Sequence, residues 1–120
     1  MKLGELQELF AKLISEHILW IISKGYKVRK GDGCLLSNRK MIVDGATVKG
    51  QDAVHMNPGC HYFMLAEDLN IFKNGTWLKK GNEPDWKEIG EHWESLNPLC
   101  KWGGRFDDSN HFSITYQGKK

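Results

Sequence analysis

The fold is organised around residues 61–72, HYFMLAEDLNIF, which join a histidine and a carboxylate to a run of strand-forming residues. Side chains alternate between the two faces of a strand. Leu65, Leu69 and Ile71 therefore share one face, and Asp68 lies on the other. The pattern predicts a strand that buries its leucine face and carries Asp68 on the opposite face.

A hairpin signal follows this strand directly. Asn74-Gly75 is the residue pair favoured in tight two-residue turns, so we expect the chain to return through residues 76–78. His61 then lies in the loop before the strand, and Asp68 lies within the strand.

A second motif, DSNH at residues 108–111, brings another histidine near the end of the chain. Two imidazoles and a carboxylate can occupy three corners of a zinc tetrahedron and leave the fourth for water, as in catalytic zinc sites. We therefore expect His61, Asp68 and His111 to bind Zn²⁺. Residues 111–116 are predicted to form the last strand, which places His111 at its entrance, beside the other ligands if the strands are neighbours.

The same residues carry a family resemblance. Residues 61–72, together with WGGRFDDSNHF at residues 102–112, resemble the zinc peptidases of the D-alanyl-D-alanine carboxypeptidase and L-alanyl-D-glutamate endopeptidase family. The short, single-domain members used as phage endolysins are the most similar. The resemblance implies that His61, Asp68 and His111 bind zinc and that Asp108 is the general base.

The resemblance also implies a substrate, the stem peptide of bacterial peptidoglycan. We expect cleavage between L-Ala and D-Glu. A D-Ala-D-Ala carboxypeptidase and a non-enzymatic, zinc-stabilised wall-binding module are the alternatives. The family arginine has no direct counterpart here, and Arg39 is the nearest candidate. His55 and Trp102 are further candidates for substrate contact, and Trp102 is also expected to form part of the core and cleft wall.

Two loop positions depart from the family pattern, and the sequence offers alternatives to Asp108 as the catalytic residue. Gly59 and Met64 stand where the family often has serine and glycine; neither position binds metal. Cys60 beside His61 could imitate a thiol nucleophile, but the cysteine and histidine of thiol enzymes are normally distant in sequence. No serine lies in a Gly-x-Ser-x-Gly elbow. Glu67 is the next candidate for the base after Asp108.

Composition limits the class of protein. A chain of 120 residues fits one domain, residues 1–120, and a net charge of +2 gives no reason to expect nucleic-acid binding. Three cysteines form neither a disulfide framework nor a Cys-x-x-Cys site, so we expect reduced thiols.

The N-terminal segment bears on how the protein reaches the cell wall. Glu5 and Glu8 interrupt it, so it does not read as a signal peptide, and no stretch is apolar enough to insert into a membrane. We expect a monomer made in the host cytoplasm that reaches the cell wall through a holin-like partner.

The rest of the chain predicts an α+β fold: a small antiparallel sheet covered by an N-terminal amphipathic helix and a second helix, with the zinc site at the sheet edge of a cleft. The first helix ends near Gly25, a strand follows at residues 26–30, and the second helix spans residues 84–96. A long connection at residues 34–58 contains one hairpin. His17 is expected to be a partly buried structural residue of the first helix, and His92 to lie on the surface of the second.

Overall fold

The computed structural model describes residues 1–31, 40–43, 46–49, 64–79 and 84–118, with only the backbone described at 40–43 and 46–49. In chain order, the elements are α1 (Leu3–Ser23), β1 (Lys27–Lys30), β2 (Lys40–Val43), β3 (Ala46–Lys49), β4 (Ala66–Lys73), β5 (Thr76–Trp77), α2 (Pro84–Leu96), β6 (Cys100–Trp102) and β7 (His111–Ile114). A 3-10 turn at Gly103–Phe106 joins β6 to β7. The α+β class predicted from the sequence is confirmed.

The main sheet is antiparallel, with strand order β1-β4-β7-β6 and with β5 also paired to β4. β4 is the strand that joins the others: its first half pairs with β7 and its second half with β1. β2 and β3 form a separate antiparallel pair, which confirms the hairpin predicted within residues 34–58. β6 was not predicted.

The turn between β4 and β5 is the predicted one. Asn74 and Gly75 both have positive φ, at 52° and 79°. A two-residue turn of this mirror-image type matches the right-handed twist of the strands, and asparagine and glycine adopt it at the lowest cost.

Both helices pack against one face of the sheet. Leu65, Leu69 and Ile71 are fully buried on that face, as the alternation predicted. Phe112 of β7 lies at the centre, with the rings of His17 from α1 and Trp93 from α2 against it. Burying a side chain of this size stabilises a fold by about 1.5–3 kcal/mol. The helices thus leave the opposite sheet face, which carries Asp68 and His111, uncovered.

Helix α1 begins and ends as its sequence dictates. The Lys2 backbone N–H donates to the Glu5 carboxylate at 3.0 Å at the N-terminus. Gly25 follows the helix at φ 95°, the left-handed conformation that commonly ends helices. Among the described residues, neither helix is long and apolar enough to cross a membrane.

Candidate metal centre

The site begins with the pairing of two neighbouring strands. In the β4–β7 ladder, Asp68 lies directly opposite His111, so both side chains project from the sheet face that the helices leave uncovered. The Nδ1 atom of His111 is 3.4 Å from the Oδ1 atom of Asp68. The predicted proximity of these two residues is therefore confirmed, and it follows from the register of the sheet.

Asp108 completes the group from the loop before β7. Its Oδ2 atom is 3.9 Å from Nδ1 of His111. One candidate ligand atom from each of Asp68, Asp108 and His111 lies within 4.8 Å of the other two. Exposure of the side chains rises from 7% at His111 through 17% at Asp68 to 37% at Asp108. The group is open to solvent on the side of Asp108.

The backbone before β7 fixes where Asp108 lies. The Asp108 N–H donates to the Gly103 carbonyl at 2.8 Å, and the His111 N–H donates to the Asp108 carbonyl at 3.0 Å. Asp107 takes the left-handed conformation, at φ 62°, which turns the chain between them. These bonds hold the acid and the histidine three residues apart on one side of the loop.

Gly103 is a steric requirement of this loop. A Cβ atom at Gly103 would lie 2.2 Å from the carbonyl oxygen of Asp108 and 2.6 Å from Cβ of His111. Real Cβ contacts are not that short, so only glycine fits. Gly31 has a milder role beside Asp68, because a Cβ there would lie 3.1 Å from that of Asp68.

An ion pair ties the 3-10 turn to α2. Arg105 donates through Nη2 and Nε to the Glu94 carboxylate at 2.9 and 3.2 Å, and the Trp102 backbone N–H donates to the same carboxylate at 3.1 Å. Burial acts to raise the pKa of Glu94, but these bonds outweigh it and lower that pKa overall. Glu94 is therefore held as a carboxylate that anchors the turn immediately before Asp107 and Asp108.

Aromatic residues border the group. Phe106 places its ring edge against His111, with centroids 5.8 Å apart, and remains 45% exposed. Trp102 is buried, and its indole N–H donates to the Ser109 carbonyl at 2.7 Å. Trp102 belongs to the core, as expected, and it lies beneath the loop that holds the site.

The donor set suits a metal ion. Two ligands held at ~2.0 Å by a tetrahedral ion are about 3.3 Å apart, close to the 3.4 Å between Asp68 and His111. Imidazole nitrogen and carboxylate oxygen are both ordinary zinc ligands. The structure therefore shows a group of Asp68, Asp108 and His111, buried at His111 and partly exposed at Asp108, that could hold a metal ion.

The other predicted site residues fall in different places. His61, His55, Arg39 and Cys60 lie outside the described residues. Glu67 points to the opposite face of β4 from Asp68 and pairs with Lys30 at 3.0 Å. It is poorly placed to replace Asp108 as a base.

Two features of this region were not predicted. Arg105 and Glu94 anchor the site from the side of α2, and nothing in their sequence spacing indicated a pair. The steric role of Gly103 did have a signal, since the Gly103-Gly104 pair indicated close approach of the backbone.

No protein-family model matches the chain, and no curated protein matches it.

Proposed function

We propose that this protein is a zinc-dependent peptidase that cleaves the stem peptide of bacterial peptidoglycan between L-Ala and D-Glu. The observation that carries the proposal is the meeting of Asp68, Asp108 and His111 within 4.8 Å. Asp68 and His111 were expected as ligands from their residue types. The family resemblance implies that Asp108 is the general base.

The roles follow from position and exposure. Asp68 and His111 would hold Zn²⁺, with His61 as the third ligand implied by the resemblance. A zinc ion bound there lowers the pKa of a bound water and polarises a carbonyl, the two requirements of amide hydrolysis. Asp108 takes the proton of the attacking water at its carboxylate and returns it to the leaving amine.

A second arrangement has a specific observation in its favour. Because Asp108 is as much a member of the 4.8 Å group as the other two, all three could bind the ion together with His61, and four protein ligands would close the site. A closed site is structural rather than catalytic. The protein would then be a zinc-stabilised wall-binding module.

Metal content tests the ligand set. We expect about one zinc per chain by elemental analysis, and loss of zinc in His61→Ala, Asp68→Ala and His111→Ala. Asp107→Asn is the matched control, because it removes a neighbouring carboxylate, keeps a residue type that tolerates positive φ, and should keep the metal. Full zinc affinity in His111→Ala would overturn the proposal.

Mass spectrometry of digested peptidoglycan tests the reaction. New amino termini at D-Glu support the endopeptidase, whereas release of D-Ala alone would identify a carboxypeptidase. Reducing sugar ends without peptide cleavage would exclude a peptidase, since glycosidases rely on a pair of carboxylates. Binding to the wall without any cleavage would favour the closed site.

A further inference from the structure

The sheet face that carries the metal group continues along β4 away from it. Asn70 and Phe72 share this face with Asp68, because they are two and four residues farther along the strand. The register adds Arg29 of β1 opposite Asn70 and Trp77 of β5 opposite Phe72. We call Arg29, Asn70, Phe72 and Trp77 the distal strip.

The distal strip has features that the hydrophobic core does not explain. Trp77 is 44% exposed, although it is one of the largest apolar side chains. The guanidinium carbon of Arg29 lies 4.6 Å from the centre of the Phe72 ring, a cation–π contact that holds the cation above the strand. The strip therefore presents a fixed positive charge beside an exposed aromatic surface.

Charge is divided along this face. Asp68 and Asp108 lie at the metal end, and Arg29 lies at the far end with Lys27, which pairs with Phe72. Phe72 lies four residues along the strand from Asp68, a distance of about 13 Å. Arg29 pairs with Asn70, and its guanidinium extends to the Phe72 ring, so an extended peptide running over β4 from the metal would meet Arg29 about two to four residues past the scissile bond.

We infer that the distal strip binds the C-terminal carboxylate of a short stem peptide, and that the enzyme prefers stems whose last residue is free. The inference rests on the proposed function. The C-terminal side of the peptide is assigned to the strip because only that end terminates in a carboxylate. Arg29 suits it, since a guanidinium donates to both carboxylate oxygens at once.

Two synthetic peptides test this. Both have the sequence L-Ala-D-Glu-L-Lys-D-Ala, one ending in a carboxylate and the other in an amide. We expect the acid to be cleaved between L-Ala and D-Glu with a kcat/KM at least about tenfold higher, because it gains a charge-assisted hydrogen bond. The difference should lie in KM, since the contact is remote from the reacting atoms.

Substitutions test whether Arg29 causes the preference for the peptide that ends in a carboxylate. Arg29→Gln should remove it by lowering kcat/KM for the acid alone. Lys30→Gln is the matched control, because Lys30 is the next residue of β1 but faces the opposite side. Trp77→Ala should weaken binding of both peptides by a similar factor, since its contact is apolar. Equal kcat/KM for the two peptides, or an unchanged preference in Arg29→Gln, would overturn the inference.

Equilibrium binding separates this inference from the proposed function. Zinc-loaded Asp108→Asn protein is expected to bind both peptides without turnover, and calorimetry should show tighter binding of the acid. If the wild-type protein cleaves neither peptide but the acid preference remains in binding, the peptidase fails and the distal strip stands. If cleavage occurs at the expected bond with no preference in either assay, the peptidase stands and the distal strip fails.

Discussion

Asp108 differs from its two neighbours in how much of it reaches solvent. Its side chain is 37% exposed, whereas those of Asp68 and His111 are 17% and 7% exposed. A metal-binding side chain is normally enclosed by the ion and by the groups that hydrogen-bond to that side chain. A group that exchanges protons with water must instead remain accessible. Exposure therefore favours the role of base for Asp108 over the role of ligand.

We predict that Asp108→Asn keeps about one zinc per chain and loses turnover by at least ~10²-fold, the lower range for a positioned acid–base group. The amide has nearly the shape of the carboxylate but cannot accept the proton. Zinc content and hydrolysis of the acid peptide should be measured on one preparation. Loss of zinc together with activity would instead make Asp108 a ligand.

Gly103 supports the site without offering a functional group. We predict that Gly103→Ala displaces the Asp108 carbonyl and His111, lowers zinc affinity, and destabilises the protein by about 1–3 kcal/mol, as overpacking does. Gly4→Ala is the control, since a Cβ at Gly4 meets nothing within 4 Å. That change should leave zinc binding intact and stabilise α1 by up to ~1 kcal/mol. Equal zinc affinity in the two variants would refute the steric role of Gly103.

The sequence predicted three members of the candidate site but not the residues that hold them in place. Asp68, Asp108 and His111 were predicted from residue type and from a motif, and the structure brings them together. The sequence predicted their proximity only if the two strands are neighbours, because the pairing of β4 with β7 joins residues that are far apart in the chain. His92 was predicted to lie on the surface of α2, and it is partly buried by contacts with α1.

The two helices are joined by that histidine. The Nδ1 atoms of His17 and His92 are 2.9 Å apart, so one ring donates and the other accepts. The His92 ring stacks on Trp20 with centroids 3.8 Å apart. His17 is fully buried rather than partly buried as predicted. These contacts depend on how α1 and α2 pack, which the periodicity of either helix alone does not reveal.

The histidine pair predicts a pH dependence of stability. Burial, followed by the proximity of His92, lowers the pKa of His17 from 6.5 to about 3. Below pH 6.5 the unfolded chain therefore binds a proton that the folded chain does not, and stability falls as pH decreases from 6.5 towards 3. We expect His17 to make the protein about 2 kcal/mol less stable at pH 5 than at pH 7.

Urea unfolding at the two pH values measures this effect. His17→Leu is the informative comparison, because leucine fills the buried position without titrating. The difference in unfolding free energy between pH 7 and pH 5 should be smaller in this variant by about the amount assigned to His17. Equal differences in the two proteins would show that His17 is not kept neutral by the fold.

The helices and strands with strong local sequence signals were predicted, whereas β6, which has no such signal, was not. α1 and α2 have periodic apolar residues and clear ends, and the β4–β5 hairpin has Asn74-Gly75. β6 has three residues, Cys100–Trp102, and only Leu99 lies between Pro98 and the strand. It is a strand because β7 pairs with it, from Cys100 opposite Ile114 to Trp102 opposite Phe112. A strand of that length depends on its partner rather than on its own sequence.

The two faces of the main sheet have different roles. Helices cover one face and supply the buried core, while the other face carries the metal group and the distal strip. Alternation along β7 shows the division most simply: Phe112 is packed among helix side chains, and His111 beside it belongs to the metal group. A substitution at Phe112 in the core can therefore also move His111, because the two residues are joined by one peptide bond.

This arrangement predicts that zinc stabilises the entire fold. Asp68 and His111 lie on the two central strands, so the sheet could not unfold without releasing an ion bound to them. A ligand that binds only the folded chain, at about 100 times its Kd, stabilises it by about 2.7 kcal/mol. For a domain of this size, we expect a chelator to lower Tm on the order of 10 °C.

Calorimetry with and without chelator measures the shift, and His111→Ala is the control. That variant should have the lower Tm in both conditions and show almost no response to chelator, because its site is already broken. An unchanged Tm in wild-type protein that carries zinc would mean that the ion is not held by the folded sheet. An equal response in wild type and His111→Ala would place the zinc on other residues, and the assignment of Asp68 and His111 as its ligands would then be wrong.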